Sequence, residues 1–199
     1  MTSQQSAPRA RPRRADTLRT ERAIVAAAEK VLRRDPAATM EEIAEAAGVS
    51  RTTVHRRFSS RDALIDALVS WAAEQFSKAV AAARVETTPP LVALYQVTVN
   101  VLRVKIGWSY AMERASTAGP EVARIHTEVL DKCRLLFRRA QAAGVIRDDV
   151  DLGWVQRAYY ALVHEATQSE IEDDEDVDTL ATQVVDTLLR GVGGQQGLS

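Results

Sequence analysis

The 199-residue sequence contains only one cysteine, Cys133, and no long apolar run. A single cysteine excludes an intramolecular disulfide and any cysteine-rich metal site. No apolar run is long enough to span a bilayer, and residues 1–16 lack the apolar segment of a secretory signal peptide. We therefore expect a cytoplasmic protein.

The usual sequence marks of catalysis are also missing. There is no Walker A loop, no G-x-G-x-x-G and no H-E-x-x-H motif. The three histidines, His55, His126 and His164, do not follow a glutamate at i−3, which a helical carboxylate-bridged metal site requires. Cys133 and His126 are separated by about 10 Å along a helix axis, too far for a hydrogen bond. The sequence predicts no enzyme, no cofactor and no metal site.

Apolar residues make up 46% of the chain, which is enough for a real core, and no stretch alternates as a strand does. Helical spacing recurs instead, so we predict an all-α fold of about nine helices. The last helix has a wide apolar stripe, at spacings i, i+3, i+4, i+7, i+8, i+11 and i+12 from Val177 to Leu189. Such a stripe can face the core, a partner chain, or both.

Charge is unevenly distributed, although the net charge is only −1. Residues 1–61 hold thirteen Lys and Arg against seven Asp and Glu, a net of +6, and residues 62–199 carry the balancing −7. A basic N-terminal part on an acidic body is typical of a protein in which one module meets phosphate. Chance clustering of surface charge is the alternative.

Two short helices joined by a tight turn are indicated in the basic part. Thr39 and Glu42 form a T-x-x-E capping box. Gly48 supplies the positive φ that ends the first short helix, and Ser50 caps the second. An S-x-x-D box at Ser59 is predicted to start the next, longer helix. This arrangement, with a basic second helix, is the helix-turn-helix pattern that enters the DNA major groove.

Within this motif, Arg51 and Thr52 are the candidates for reading base edges, because the N-terminal end of the second helix faces the groove. Arg57, just before core Phe58, is interpreted as a solvated position. The candidates for phosphate contacts are Thr39, Thr53, His55, Arg56 and Arg61.

Over residues 22–64 the chain resembles the TetR-type transcriptional repressor family. Three positions depart from the commonest pattern of that family: Thr52 replaces a frequent glycine, His55 a phosphate-contacting tyrosine, and Arg61 a lysine. The residues that carry the resemblance are Ile24, Ala27, Ala28, Thr39, Ile43, Ala44, Ala47, Gly48, Val49, Ser50, Thr53, Phe58 and Arg61 to Leu64.

The resemblance implies a repressor that a small-molecule inducer releases from a pseudo-palindromic operator, and therefore a protein associated with the nucleoid when bound to DNA. It also implies a homodimer formed by the last two helices, about 152–168 and 176–190. The candidate residues for the ligand pocket are Trp108, Tyr110, Met112, His126, Trp154, Tyr159, Tyr160 and His164.

Four segments are therefore expected. They are a disordered basic arm at 1–15, a helix-turn-helix DNA-binding domain at 16–61, a helical ligand-binding and dimerisation domain at 62–191, and a flexible tail at 192–199. Two other classes of function are considered: a helical-bundle enzyme or metal-binding protein, and an acidic helical protein-interaction module. Neither explains the motif between Thr39 and Leu64.

Overall fold

The computed structural model describes residues 11–115, 119–168 and 174–192. Within these ranges the chain forms nine helices and no strand, which confirms the all-α prediction. The helices are α1 (Arg11–Arg34), α2 (Met40–Ala46), α3 (Arg51–Arg57), α4 (Arg61–Ala82), α5 (Pro90–Gly107), α6 (Ser109–Arg114), α7 (Pro120–Ala142), α8 (Leu152–Ala166) and α9 (Asp174–Val192). The chain divides into two compact units, and the boundary falls between Leu68 and Val69. We call them the head and the body.

The N-terminus of α2 in the head is closed by the predicted capping box. Thr39 Oγ1 accepts a hydrogen bond from the Glu42 backbone N–H at 3.3 Å, and Glu42 Oε2 accepts one from the Thr39 N–H at 2.6 Å. The bonds from the Thr39 backbone and hydroxyl lower the pKa of Glu42. Two backbone N–H groups that no helical carbonyl can reach are satisfied in this way.

The turn between α2 and α3 depends on Gly48, whose φ is +67°. This left-handed conformation lets the Val49 N–H reach back to the Ala44 carbonyl at 3.0 Å. Ser50 then caps α3 by accepting from the Thr53 N–H at 3.2 Å. Both predictions for the turn are confirmed.

Four helix ends differ from the sequence-based expectation. Helix α1 begins at Arg11, so residues 11–15 of the predicted disordered arm are helical, and residues 1–10 lie outside the described part of the chain. The cap of α4 is Ser60 instead of Ser59, because Ser60 Oγ accepts from the Ala63 N–H at 3.1 Å. Helix α9 includes the end of the acidic run that we expected to be a loop, and it also includes Val192; the tail beyond Val192 is not described.

The head is small, and each of its helices contributes one to three fully buried side chains to the core. Contacts join α1 to α2 and α2 to α3. Residues from all four helices have almost no exposed surface. They are Ile24, Ala28 and Leu32 of α1, Ile43 and Ala44 of α2, Val54 of α3, and Leu64 and Leu68 of α4.

The body packs α5, α7, α8 and α9 around a single apolar cluster. The stripe on α9 lies inside this core: Val177, Ala181, Val184, Val185, Leu188 and Leu189 are all at least 95% buried within one chain. Packing within the chain therefore accounts for most of the stripe, and only Leu180 of that face is partly exposed.

Polar contacts join the helices of the body across this core. The Thr98 and Tyr159 hydroxyls are 3.1 Å apart in a fully buried pair. The Tyr95 hydroxyl donates to Asp186 Oδ1 at 2.5 Å, and burial together with this acceptor raises the pKa of Tyr95 to about 12. Arg139 donates to the Thr88 carbonyl at 2.9 Å and to the Val85 carbonyl, which closes the α4–α5 connection. These bonds satisfy groups that would otherwise be buried without partners.

Substitution of Gly48 tests the turn. Gly48→Ala should lower the free energy of unfolding of the head by about 1–2 kcal/mol, because an L-residue is strained at positive φ. No neighbouring atom lies within 4 Å of the added Cβ, so steric crowding does not contribute. Gly48→Asn is the control and should cost clearly less, since asparagine tolerates this region. Urea unfolding followed by circular dichroism measures both, and equal stability of Gly48→Ala and the wild type would contradict this role.

Candidate nucleic-acid interface and ligand cavity

The outer face of α3 presents most of the predicted DNA-contacting side chains to solvent. Arg51, Thr52, His55 and Arg56 are exposed, while Thr53 is half-buried and its hydroxyl lies 2.9 Å from Ser50 Oγ. Because Val54 and Phe58 are buried on the opposite side, the seven-residue helix has one inward and one outward face. The outward face carries both positive charge and hydrogen-bond donors.

Arg51 is held in place although it is exposed. Its Nε lies 2.5 Å from Glu41 Oε1 on α2 and 3.5 Å from His55 Nε2 one turn further along α3. A surface ion pair of this kind contributes little to stability. The guanidinium can therefore exchange Glu41 for a base or phosphate at low cost.

The sequence pattern predicts that Arg57 is solvated, and the structure shows that this prediction is wrong. Its side chain is only 23% exposed; the guanidinium donates to Thr17 Oγ1 at 3.2 Å and lies 3.7 Å from Glu21 Oε1. Both partners belong to α1, so Arg57 fastens α3 to α1. Sequence spacing on a seven-residue helix does not reveal such a contact, because the partner is forty residues away.

Arg61 also has partners within the head. Its guanidinium donates to the Pro36 carbonyl at 2.6 Å and to the Ala38 carbonyl, which are the backbone acceptors in the α1–α2 turn. Thr39 follows Ala38 directly in the chain and is exposed at the start of α2. The side chain of Arg61 therefore connects the start of α4 to the segment that leads into α2.

The body contains a cavity of about 460 Å³. This volume lies in the range typical of small-molecule sites. Its wall is mainly apolar and comes from five helices and the residue after α6. The lining residues are Ala73 and Phe76 of α4, Val97, Val101 and Lys105 of α5, Met112 of α6, Ala115 after it, eight residues of α7 between Val122 and Cys133, and Tyr159, Tyr160 and Val163 of α8.

Four of the eight predicted ligand-pocket residues line this cavity, namely Met112, His126, Tyr159 and Tyr160. The other four, Trp108, Tyr110, Trp154 and His164, do not. Tyr110 is buried beneath the Arg114 guanidinium, 3.6 Å from its ring centroid. Trp154 is 56% exposed on α8, and His164 is exposed near the end of that helix.

Lys105 and Cys133 also line the cavity, and neither is among the predicted pocket residues. The spacing could have identified Lys105, because it lies four and eight residues after Val101 and Val97 and so shares their helix face. Burial without a counter-ion lowers the pKa of Lys105, and its ammonium makes no hydrogen bond or ion pair within the described residues.

The hydroxyl and thiol groups of the wall are bonded to each other or to neighbours. Tyr160 accepts from Gln156 Nε2 at 3.0 Å and donates to the Cys133 sulfur. Burial raises the pKa of the Cys133 thiol and of both Tyr159 and Tyr160. All three groups are therefore neutral near pH 7, and none is an activated nucleophile.

Neither a metal centre nor a membrane span is found in the described part of the chain. No three His, Cys, Asp or Glu side chains come together there as metal ligands. None of the described helices is both long and apolar enough to cross a membrane.

Comparison with known proteins identifies the class of molecule to which this head and body belong. Residues 24–68 match the family described as bacterial regulatory proteins, tetR family. The HTH-type transcriptional repressor LfrR of Mycolicibacterium smegmatis is 30% identical over 175 residues, 86% of this chain and 91% of LfrR. The HTH-type transcriptional regulator NfxB of Pseudomonas aeruginosa is 32% identical over 157 residues, 75% of this chain and 81% of NfxB.

A solved structure supports the same assignment. The crystal structure of LfrR from Mycobacterium smegmatis in complex with proflavine superposes with a TM-score of 0.63 at 27% identity, covering 85% of this chain and 96% of that one. Regulators of this family bind DNA operators and small-molecule ligands. The chain belongs to the tetR family of bacterial regulatory proteins and is a DNA-binding transcriptional regulator, not an enzyme.

Proposed function

We propose that the protein is a repressor that binds a pseudo-palindromic operator as a homodimer and leaves it when a small molecule fills the cavity of the body. The observation that carries the proposal is the exposed basic face of α3, set by the Gly48 turn, in a chain whose body holds a cavity of about 460 Å³. The domain assignment follows: the head binds DNA, and the body binds ligand and partner.

In this proposal the N-terminal end of α3 reads base edges. Arg51 pairs with guanine through two hydrogen bonds after it releases Glu41, and Thr52 offers a hydroxyl and a methyl group. Thr39, Thr53, His55 and Arg56 contact phosphates, because they lie on the exposed or half-exposed side of α2 and α3. His55 supplies a ring nitrogen donor at that position.

Arg61 acts on DNA binding in a different way from the other candidates. Its bonds to the Pro36 and Ala38 carbonyls fix the turn before α2, and this turn determines where Thr39 lies. We therefore assign Arg61 a positioning role within the head. A phosphate contact through its remaining donors is compatible with that role, because a guanidinium carries five N–H groups.

Two heads are needed, because one recognition helix contacts only a few base pairs. A twofold dimer places two heads about 34–36 Å apart, or a multiple of that distance, and so selects a pseudo-palindrome. The helices proposed to form the interface are α8 and α9. Since most of the α9 stripe is buried within the chain, the exposed apolar surface that favours this interface comes chiefly from Trp154 on α8.

Release from DNA requires only that the ligand prefer the state that does not bind the operator. A preference of a few kcal/mol changes operator affinity by orders of magnitude. The body has the necessary site, a mainly apolar cavity with a few polar groups. A relative at 27% identity has been crystallised with proflavine, which supports a small-molecule ligand for this chain as well.

Selection of bound duplexes from a random pool tests the proposal as a whole. We expect an enriched inverted repeat and an affinity that falls steeply with salt, because phosphate contacts release counterions. Enrichment of a single unrepeated site would contradict the dimeric operator. An affinity that does not depend on salt would contradict phosphate contacts by the head.

Substitutions on α3 separate base readout from phosphate contact. Arg51→Ala should reduce affinity for the selected site by about tenfold or more and relax the preference at one base pair. Arg56→Ala should weaken binding to selected and random duplexes alike and reduce the salt slope by about 1. Glu41→Ala is the control, since it removes the Arg51 partner but leaves the preference intact. Anisotropy titrations on both duplexes measure these effects; an unchanged preference in Arg51→Ala would show that Arg51 does not read bases.

Arg61→Met tests the positioning role. The variant loses two charge-assisted hydrogen bonds, so the free energy of unfolding of the head should fall by about 2 kcal/mol. Arg56→Met, at an exposed position, is the matched control and should unfold like the wild type. Thermal unfolding by circular dichroism gives the comparison. Wild-type stability of Arg61→Met combined with weaker DNA binding would assign Arg61 to phosphate alone.

Trp154→Glu tests the proposed interface. A buried charge in the dimer contact should shift the protein towards monomer at micromolar concentration. Val92→Glu is the control, because Val92 is a similarly exposed apolar side chain, on α5. Sedimentation equilibrium measures the mass of each variant. A dimer that Trp154→Glu leaves intact would place the interface elsewhere.

A further inference from the structure

Lys105 brings a positive charge into the wall of the ligand cavity, and no carboxylate is found among the lining residues that the structure describes. The remaining wall is apolar apart from His126, Thr127, Cys133 and two tyrosines. The described wall of the cavity therefore carries positive charge and no negative charge.

The ammonium group of Lys105 is poorly compensated. The side chain is partly withdrawn from water, and within the described residues it has neither a hydrogen-bond acceptor nor an ion-pair partner. Removing a charged group from water without a partner is costly. A ligand that supplied an anion at this position would recover that cost on binding.

The other polar groups of the wall have less to offer a ligand. Thr127 donates to the Ala123 carbonyl at 3.0 Å, and the Tyr159 hydroxyl is 3.1 Å from Thr98 Oγ1. The hydroxyl of Tyr160 is shared between Gln156 and Cys133. These donors already have partners, and His126 is exposed to solvent, so Lys105 is the charged donor available to a bound molecule.

We propose that the cavity takes an amphipathic monoanion, with an apolar body and one carboxylate or sulfonate group that pairs with Lys105. This inference rests on the proposed ligand-controlled function and specifies the class of its ligand. The volume of about 460 Å³ limits the apolar body to the size of a few fused or linked rings or a medium alkyl chain. A cationic ligand is disfavoured, because its charge would repel Lys105 and find no carboxylate in the described wall.

Two fluorescent probes with the same aromatic body distinguish charge from shape. They are 8-anilinonaphthalene-1-sulfonate, an anion, and N-phenyl-1-naphthylamine, its uncharged parent. Each is titrated into the full-length protein in the absence of DNA. The measured ratio is the affinity for the anionic probe divided by the affinity for the uncharged probe. Lys105→Met should reduce that ratio by about tenfold, since a charge-assisted bond is lost only for the anion.

Lys132→Met is the matched control, because it is the same substitution at a lysine that lies on α7 and does not line the cavity. It should keep the wild-type affinity ratio. Lys105→Gln, which is polar but uncharged, should behave like Lys105→Met and so shows that the effect follows charge. Circular dichroism confirms that each variant is folded.

The outcomes separate this inference from the proposed function. If both probes bind and Lys105→Met leaves the ratio unchanged, the anionic class is wrong while the cavity remains a ligand site. If neither probe binds the wild type, the cavity does not take ligands of this kind, and both the inference and the proposed release step fail. The repeated operator and its salt dependence test DNA binding independently of either result.

Discussion

The head depends on the left-handed backbone at Gly48. Helix α3 has seven residues and is far too short to be stable in isolation. Its orientation is instead fixed by the turn at φ +67°, by the Ser50 cap and by burial of Val54 and Phe58. Arg57 adds bonds to α1, and Arg61 fixes the turn before α2. With the inward face held in this way, the opposite face presents Arg51, Thr52, His55 and Arg56 to solvent.

The body is under a different constraint, because its helices must pack into a stable core and also surround a cavity. The cavity has a volume of about 460 Å³, and side chains from five helices line it. Polar contacts such as Tyr95 with Asp186 and Arg139 with the α4–α5 connection hold the surrounding helices together. In the proposed release mechanism, a ligand that fills the space stabilises whichever state encloses it best.

The sequence predicts the structure best where interactions are local. The capping boxes, the glycine turn and the helical stripes depend on residues within four positions of one another, and the Thr39 box, Gly48 and Ser50 were predicted correctly. Prediction was less successful for charged side chains with distant partners. Arg57 was interpreted as solvated, whereas it contacts Thr17 forty residues away. Ser59 and Ser60 are neighbours with the same capping chemistry, and only the path of the backbone selects Ser60.

The ligand cavity shows this division most clearly. The sequence alone determined that the fold is helical, that the N-terminal part is a DNA-binding head, and that aromatic residues of the body are available for a pocket, because periodicity, caps and charge are properties of short segments. The tertiary structure decided which of those residues meet. It brings Met112, His126, Tyr159 and Tyr160 together with Lys105, and it leaves Trp154 on the surface. A cavity is formed by side chains from five helices, and no local pattern records how those helices pack.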